Sequence, residues 1–207
     1  MSAQWCSQGL CTHISTCDQR AIAANPTNAS LQAAYGLLLR SQGREQEAEE
    51  LMAAMVAGAP EGEAGWAEAR LHRAGIHIMS GEYERAETLL GEILAAQPEN
   101  TAALAGLADL YVQQDRYAEA SQTYQRLRNI GDNETLLAQH IETTILSGDL
   151  ETAEGLLAES RAEHSTKVWW LLLQARGQRA RGDIEAAVGY TERAMALADD
   201  SNYHVAA

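Results

Sequence analysis

A turn-forming residue recurs at a nearly constant interval along the whole chain. Gly9, Gly43, Gly81, Asp115, Gly148 and Gly182 are separated by 34, 38, 34, 33 and 34 residues. Each of the last five stands five residues before an alanine: Ala48, Ala86, Ala120, Ala153 and Ala187. Pro26, Pro60 and Pro98 repeat with spacings of 34 and 38. Markers of different chemistry that share one period mean an internal repeat, and a repeat of this length constrains the architecture more than any single residue does.

Each marker fits a helix–turn–helix unit. Glycine, or aspartate at position 115, takes the left-handed backbone that ends a first helix. Alanine is small enough for two helices to cross closely. A proline about twelve residues later cannot continue the second helix. The apolar pattern agrees. Leu104, Leu107, Ala108, Tyr111 and Val112 recur at i, i+3, i+4, i+7 and i+8, and Ala86, Leu89, Leu90, Ile93 and Leu94 run likewise. No convincing period-two alternation occurs, so no strand is expected.

The unit resembles the tetratricopeptide repeat, whose pattern is clearest in residues 101–133. There Leu104 takes the Trp position, Leu107 and Ala108 the Leu-Gly pair, and Tyr111 the Tyr; Ala120 and Tyr124 take the Ala and Phe positions of the second helix. The copy at 67–100 keeps Ala74, Ala86 and Pro98 but has Arg70 and Arg73 where apolar residues are expected. The copy at 29–62 keeps Gly36, Ala48 and Pro60, while those at 134–167 and 168–201 lack the proline. The resemblance implies an all-α, right-handed α-solenoid of five helical hairpins, at 29–62, 63–100, 101–133, 134–167 and 168–201. A half repeat at 1–28 caps the N-terminus with a helix near residues 11–24, and 202–207 form a frayed tail. The four additional residues 63–66 are expected to lengthen the first helix of their repeat, with Trp66 packing on its neighbour. Repeat arrays usually end in a polar capping helix. The last helix here, near residues 184–198, lacks one, so its outer face is either polar or covered by a second copy or a partner.

In this family the first helices line a concave groove that receives a peptide or helix of another protein. The groove positions carried over are Leu71, Ile78 and Met79; Ala105, Asp109, Val112 and Gln113; Ala138, Glu142, Ile145 and Leu146; and Trp169, Leu172, Arg176 and Arg179. Family members that clamp chaperone tails hold a C-terminal carboxylate with Lys and Asn. This chain has a single lysine, Lys167, and carries Leu37 and Gly75 at groove positions, so that clamp is excluded. Arg176 and Arg179 beside Trp169 suit an acidic or aromatic segment instead. Residues 44–68 carry seven glutamates against Arg44, either a solvated face or a steering patch for a basic partner.

Charge and motifs exclude other classes. With 15 Lys+Arg against 29 Asp+Glu, a net charge of −14, the surface is not built to neutralise nucleic-acid phosphates. No stretch is long and apolar enough for a membrane span, and the start MSAQWCSQGL lacks the basic and apolar regions of a secretory signal. A cytoplasmic protein is therefore expected, and abundant Arg and Ala with scarce Lys suggest a bacterial source. The tripeptides beginning at Asn28 and Asn133 match a glycosylation acceptor pattern that an unexported protein would not use. No phosphate loop, GxSxG or HExxH is present, and His72 and His77 stand five apart, off a common helix face. His140, Thr143, Thr144 and Ser147 share a helix without an acid partner. No catalytic residue and no cofactor are expected. Cys6, Cys11, His13 and Cys17 cluster near the N-terminus as a conceivable metal or redox site, although their spacing fits no established motif. The expected role is a non-catalytic scaffold or adaptor for a partner protein. The alternatives are a homo-oligomer joined through its terminal helices and a metal- or redox-responsive regulator.

Overall fold

The repeat turns adopt the backbone their residues favour. A computed structural model of the chain describes residues 28–59, 61 and 65–203. In it Gly43, Gly81, Gly148 and Gly182 have φ of 74°, 74°, 86° and 87°, and Asp115 follows at 58°. At four of the five turns the residue that follows closes the first helix with a bond five residues back: Arg44 N–H to Leu39 O at 3.0 Å, Glu82 to His77 at 2.8 Å, Arg116 to Tyr111 at 2.9 Å and Asp183 to Gln178 at 3.0 Å. These bonds satisfy carbonyls that a helix end otherwise leaves open.

Eleven helices are described: α1 (Ala29–Ser41), α2 (Glu45–Ala57), α3 (Trp66–Met79), α4 (Tyr83–Ala96), α5 (Thr101–Gln113), α6 (Tyr117–Ile130), α7 (Glu134–Leu146), α8 (Leu150–Glu159), α9 (Arg161–His164), α10 (Val168–Arg181) and α11 (Ile184–Tyr203). No strand occurs among the described residues. The fold is all-α, with consecutive helices packed as tetratricopeptide-like hairpins. Several helix starts are capped by short polar side chains: Asn28 accepts from Leu31 N–H at 2.9 Å, Asn133 from Leu136 at 2.9 Å and Asp149 from Thr152 at 3.1 Å. Both glycosylation-type asparagines are thus helix caps.

The chain divides into two compact units, one ending at Ala103 and one beginning at Leu104. In the first, α1 packs on α2 and α3, and α3 on α4. Ala33, Tyr35, Leu39, Ala48, Met52 and Ile76 form a core there. In the second, α6 packs on α7, and α10 lies against both α7 and α8. Its core gathers Leu137, Ile141, Ile145, Leu157, Trp170 and Leu171. The five turn-linked alanines are all buried, three of them completely.

Two expectations need correction, and one helix break was not anticipated. The first helix of the second hairpin is lengthened less than expected: α3 begins at Trp66 and has 14 residues, against 13 in α1, α5 and α7, with Gly65, at φ 86°, as the residue before it. The last helix does not stop near 198 but continues to Tyr203, into the segment read as tail. The second helix of the fourth hairpin is broken at Ser160, whose hydroxyl donates to Leu156 O at 2.8 Å and accepts the Trp170 indole N–H at 3.1 Å. The N-terminal half repeat, apart from Asn28, and Cys6, Cys11, His13 and Cys17 lie outside the described residues.

Candidate functional site

On α3 of the first unit, Leu71 and Ile78 are half-buried and Met79 is 74% exposed. The arginines that interrupt the apolar pattern are structural. Arg73 pairs with Glu49 of α2. The Arg70 guanidinium stacks 4.4 Å from the Trp66 ring centroid and pairs with Glu92 of α4 at 3.0 Å. Long aliphatic stems let both arginines cover apolar surface while their heads stay paired. The acidic segment is likewise partly engaged: Glu47 pairs with Arg44 at 2.5 Å, and Glu68 accepts a hydrogen bond from Ser30 at 2.9 Å. The buried His77 ring meets Glu82 at 2.5 Å. Burial pushes the Glu82 carboxyl up, but His77 and Arg85 outweigh it and hold it below the usual range.

Ser30, Glu68 and His72 converge on the surface of the same unit. The Ser30 hydroxyl lies 3.0 Å from His72 Nε2, and the Glu68 carboxylate lies 3.5 Å from that same nitrogen. A hydrolytic triad needs the acid on the opposite ring nitrogen, where it orients the imidazole toward the nucleophile. This cluster lacks that arrangement.

In the second unit α5 presents Ala105, Asp109 and Gln113 to solvent, with Val112 half-buried. Asp109 accepts from the Tyr124 hydroxyl at 3.3 Å; burial and this carboxylate push the phenol up. On α7, Ala138 and Glu142 are half-buried and Leu146 is 50% exposed. Ile145 is different: only 8% exposed, it belongs to the core, with its Cδ1 3.9 Å from where a Cβ on Gly177 would stand. It does not line an open surface. On α10, Trp169 donates its indole N–H to Glu134, and Arg176 pairs with Glu142. Lys167 adds a weaker contact to Glu134 at 3.7 Å. The charges expected to await a ligand are thus largely engaged between neighbouring first helices. Arg179 is exposed and makes no side-chain bond among the described residues.

The polar residues of α7 pack inward against α6. Arg128 donates to Nδ1 of buried His140 at 3.1 Å and forks onto Asp132. Burial and the Arg128 charge, opposed by Asp132, push the His140 imidazole down to about 4. Thr144 donates to His140 O at 2.6 Å, so Ser121, 2.7 Å away, donates to Thr144. These groups fasten one hairpin to the next.

Sequence reasoning missed an open groove of about 550 Å³ between α10 and α11. Leu172, Arg176 and Arg179 line one side, and Ile184, Val188 and Met195 the other. The available signal was a second apolar stripe on α11, at 184, 188 and 195, besides the core-facing one at 187, 190, 194 and 197.

No helix of the described residues is long and apolar enough to cross a membrane. No group of three His, Cys, Asp or Glu side chains among them is placed to hold a metal ion.

Comparison with known proteins points the same way. No curated protein matches the sequence. Among solved structures, a tetratricopeptide repeat protein from Parabacteroides merdae is 20% identical with a TM-score of 0.63, covering 95% of this chain and 77% of its own. YrrB, described as a tetratricopeptide repeat protein with an unusual peptide-binding site, is 18% identical with a TM-score of 0.62, covering 88% and 93%. MamA from Desulfovibrio magneticus is 13% identical with a TM-score of 0.62, covering 83% and 96%. At such identities the likeness speaks for the fold. Two sequence profiles of the tetratricopeptide repeat match residues 19–63 and 77–139, together just over half of the chain. With the left-handed turns, the buried crossing alanines and the paired helices, they show that the chain belongs to the tetratricopeptide repeat family.

Proposed function

We propose that the chain is a non-catalytic scaffold that binds a peptide or helical segment of a partner protein on the exposed faces of its first helices, in a bacterial cytoplasm. The observation that carries this reading is a repeated register. Met79, Gln113 and Leu146 are the last residues of α3, α5 and α7, and all three are exposed. Beside the first two, Ile78 and Val112 are only partly covered. Two large apolar side chains at this register contribute little to the core, whereas anchors for a docked segment belong there. YrrB, a protein of similar fold, is described as having a peptide-binding site, which supports this reading.

The test is selection of binders from a displayed peptide library, followed by calorimetry with the enriched sequence. Met79→Glu in the first unit and Leu146→Glu in the second are tested alone and together; the change in whichever unit holds the segment is expected to weaken binding by about tenfold or more, with an unchanged helical circular dichroism spectrum. Ile145→Glu is no substitute, because it would place a carboxylate in the core. Failure to enrich any peptide, or equal binding by the double variant, would overturn the reading.

A further inference from the structure

The groove between α10 and α11 is the repeat equivalent of one that is filled inside the same unit. A shift of 34 residues carries Ala138 to Leu172, Glu142 to Arg176 and Ile145 to Arg179 on the first helix, and Leu150 to Ile184 and Glu154 to Val188 on the second. In the inner copy α10 is the occupant. A Cβ on its Gly177 would stand within 4.0 Å of Ile145 and Leu157, Arg176 meets Glu142, and Arg181 meets Glu154 at 2.5 Å. In the terminal copy Leu172, Ile184, Val188 and Met195 remain 43, 58, 50 and 63% exposed. Such a contiguous apolar surface marks an interaction face.

The charges decide what fits. Arg176 and Arg179 stand where the inner groove has Glu142 and Ile145, so another helix built like α10, offering its own arginines, would meet like charge. A second copy of the same face arranged about a two-fold axis meets the opposite sign. Arg179 lies on the α10 side of the groove and Glu192 on the α11 side. Neither makes a side-chain bond or ion pair among the described residues. Two antiparallel α11 helices related by an axis at Val188 place Glu192 of each copy opposite Ile184 of the other, four residues to either side of the axis. Ile184 stands on the α11 wall and Arg179 on the α10 wall, both next to the hairpin turn, so Glu192 of the other copy comes to the same end of the groove as Arg179. The pair therefore forms twice, on either side of Val188 at the axis, with Ile184 and Met195 next to each pair. A face that supplies both partners of its own ion pair is self-complementary, as a two-fold interface requires.

We propose that the α10–α11 face is a homodimer interface, closed by Ile184, Val188 and Met195 and oriented by Arg179–Glu192 pairs between the two copies. It is independent of peptide binding at Met79 and Leu146. Sedimentation equilibrium of the full chain over a concentration series tests it. Wild type is expected to pass from 22.4 kDa to twice that mass, and Val188→Glu to remain monomeric. Arg179→Glu and Glu192→Arg are each expected to weaken dimerisation by about tenfold, since like charges then face one another twice. The double reversal, Arg179→Glu with Glu192→Arg, is expected to restore it. All three positions are exposed, so the variants should keep the wild-type circular dichroism spectrum. A monomer at every concentration, a dimer that survives Val188→Glu, or a double reversal no better than the single ones would overturn the proposal.

Discussion

A buried titratable side chain gives the fold a pH signature. His140 sits between α6 and α7, accepts a hydrogen bond from Arg128, and takes up a proton only near pH 4. An unfolded imidazole does so near 6.5. Between these values the unfolded state binds more protons, so stability falls as pH falls. Glu82, held below its ordinary range, adds a loss of the same sign at lower pH. Thermal unfolding followed by circular dichroism is expected to show a declining midpoint from pH 6.5 to 4. His140→Gln, which can still accept from Arg128, should flatten the upper part of that slope and leave the part below 4.5. Equal slopes in both proteins would contradict this account. The sequence placed His140, Thr143 and Thr144 on one helix but did not show what they touch. The partners of His140 and Thr144, Arg128 and Ser121, come from the preceding hairpin.

The helical elements owe their boundaries to local chemistry. Each turn residue has positive φ, and a side chain at Gly148 would meet nothing within 4 Å. Gly148→Ala is therefore expected to cost about 1–2 kcal/mol through its left-handed backbone alone. Gly91 lies inside α4, exposed, with equal room and no positive φ. There alanine should stabilise by about 0.5–1 kcal/mol, because glycine loses more chain entropy in a helix. Urea unfolding midpoints moving in opposite directions would confirm both; a shared direction would refute the turn argument. The turns and crossing alanines were legible because a left-handed residue and a small residue five positions later are properties of one hairpin. The start of α3 was not, because an insertion before a helix can enter either the helix or the loop.

For the molecule as a whole, repeat architecture makes stability local, since each hairpin contacts its neighbours rather than one central core. Leu171 is fully buried in the second unit. Leu171→Ala is expected to cost about 2–5 kcal/mol, and hydrogen exchange should show lost protection in α7, α8 and α10 well beyond any change in α1 and α2. Uniform loss across the chain would mean a single cooperative unit instead. The sequence by itself determined the period, the left-handed turns, the close helix crossings and hence the family, because these depend on residues a few positions apart. Tertiary structure alone decided that Ile145 is buried beneath α10, that Glu142 and Glu134 engage Arg176 and Trp169, and that the α10–α11 groove stays open. The physical reason is distance along the chain. Exposure and pairing at these positions depend on what a neighbouring hairpin, about 34 residues away, brings against them.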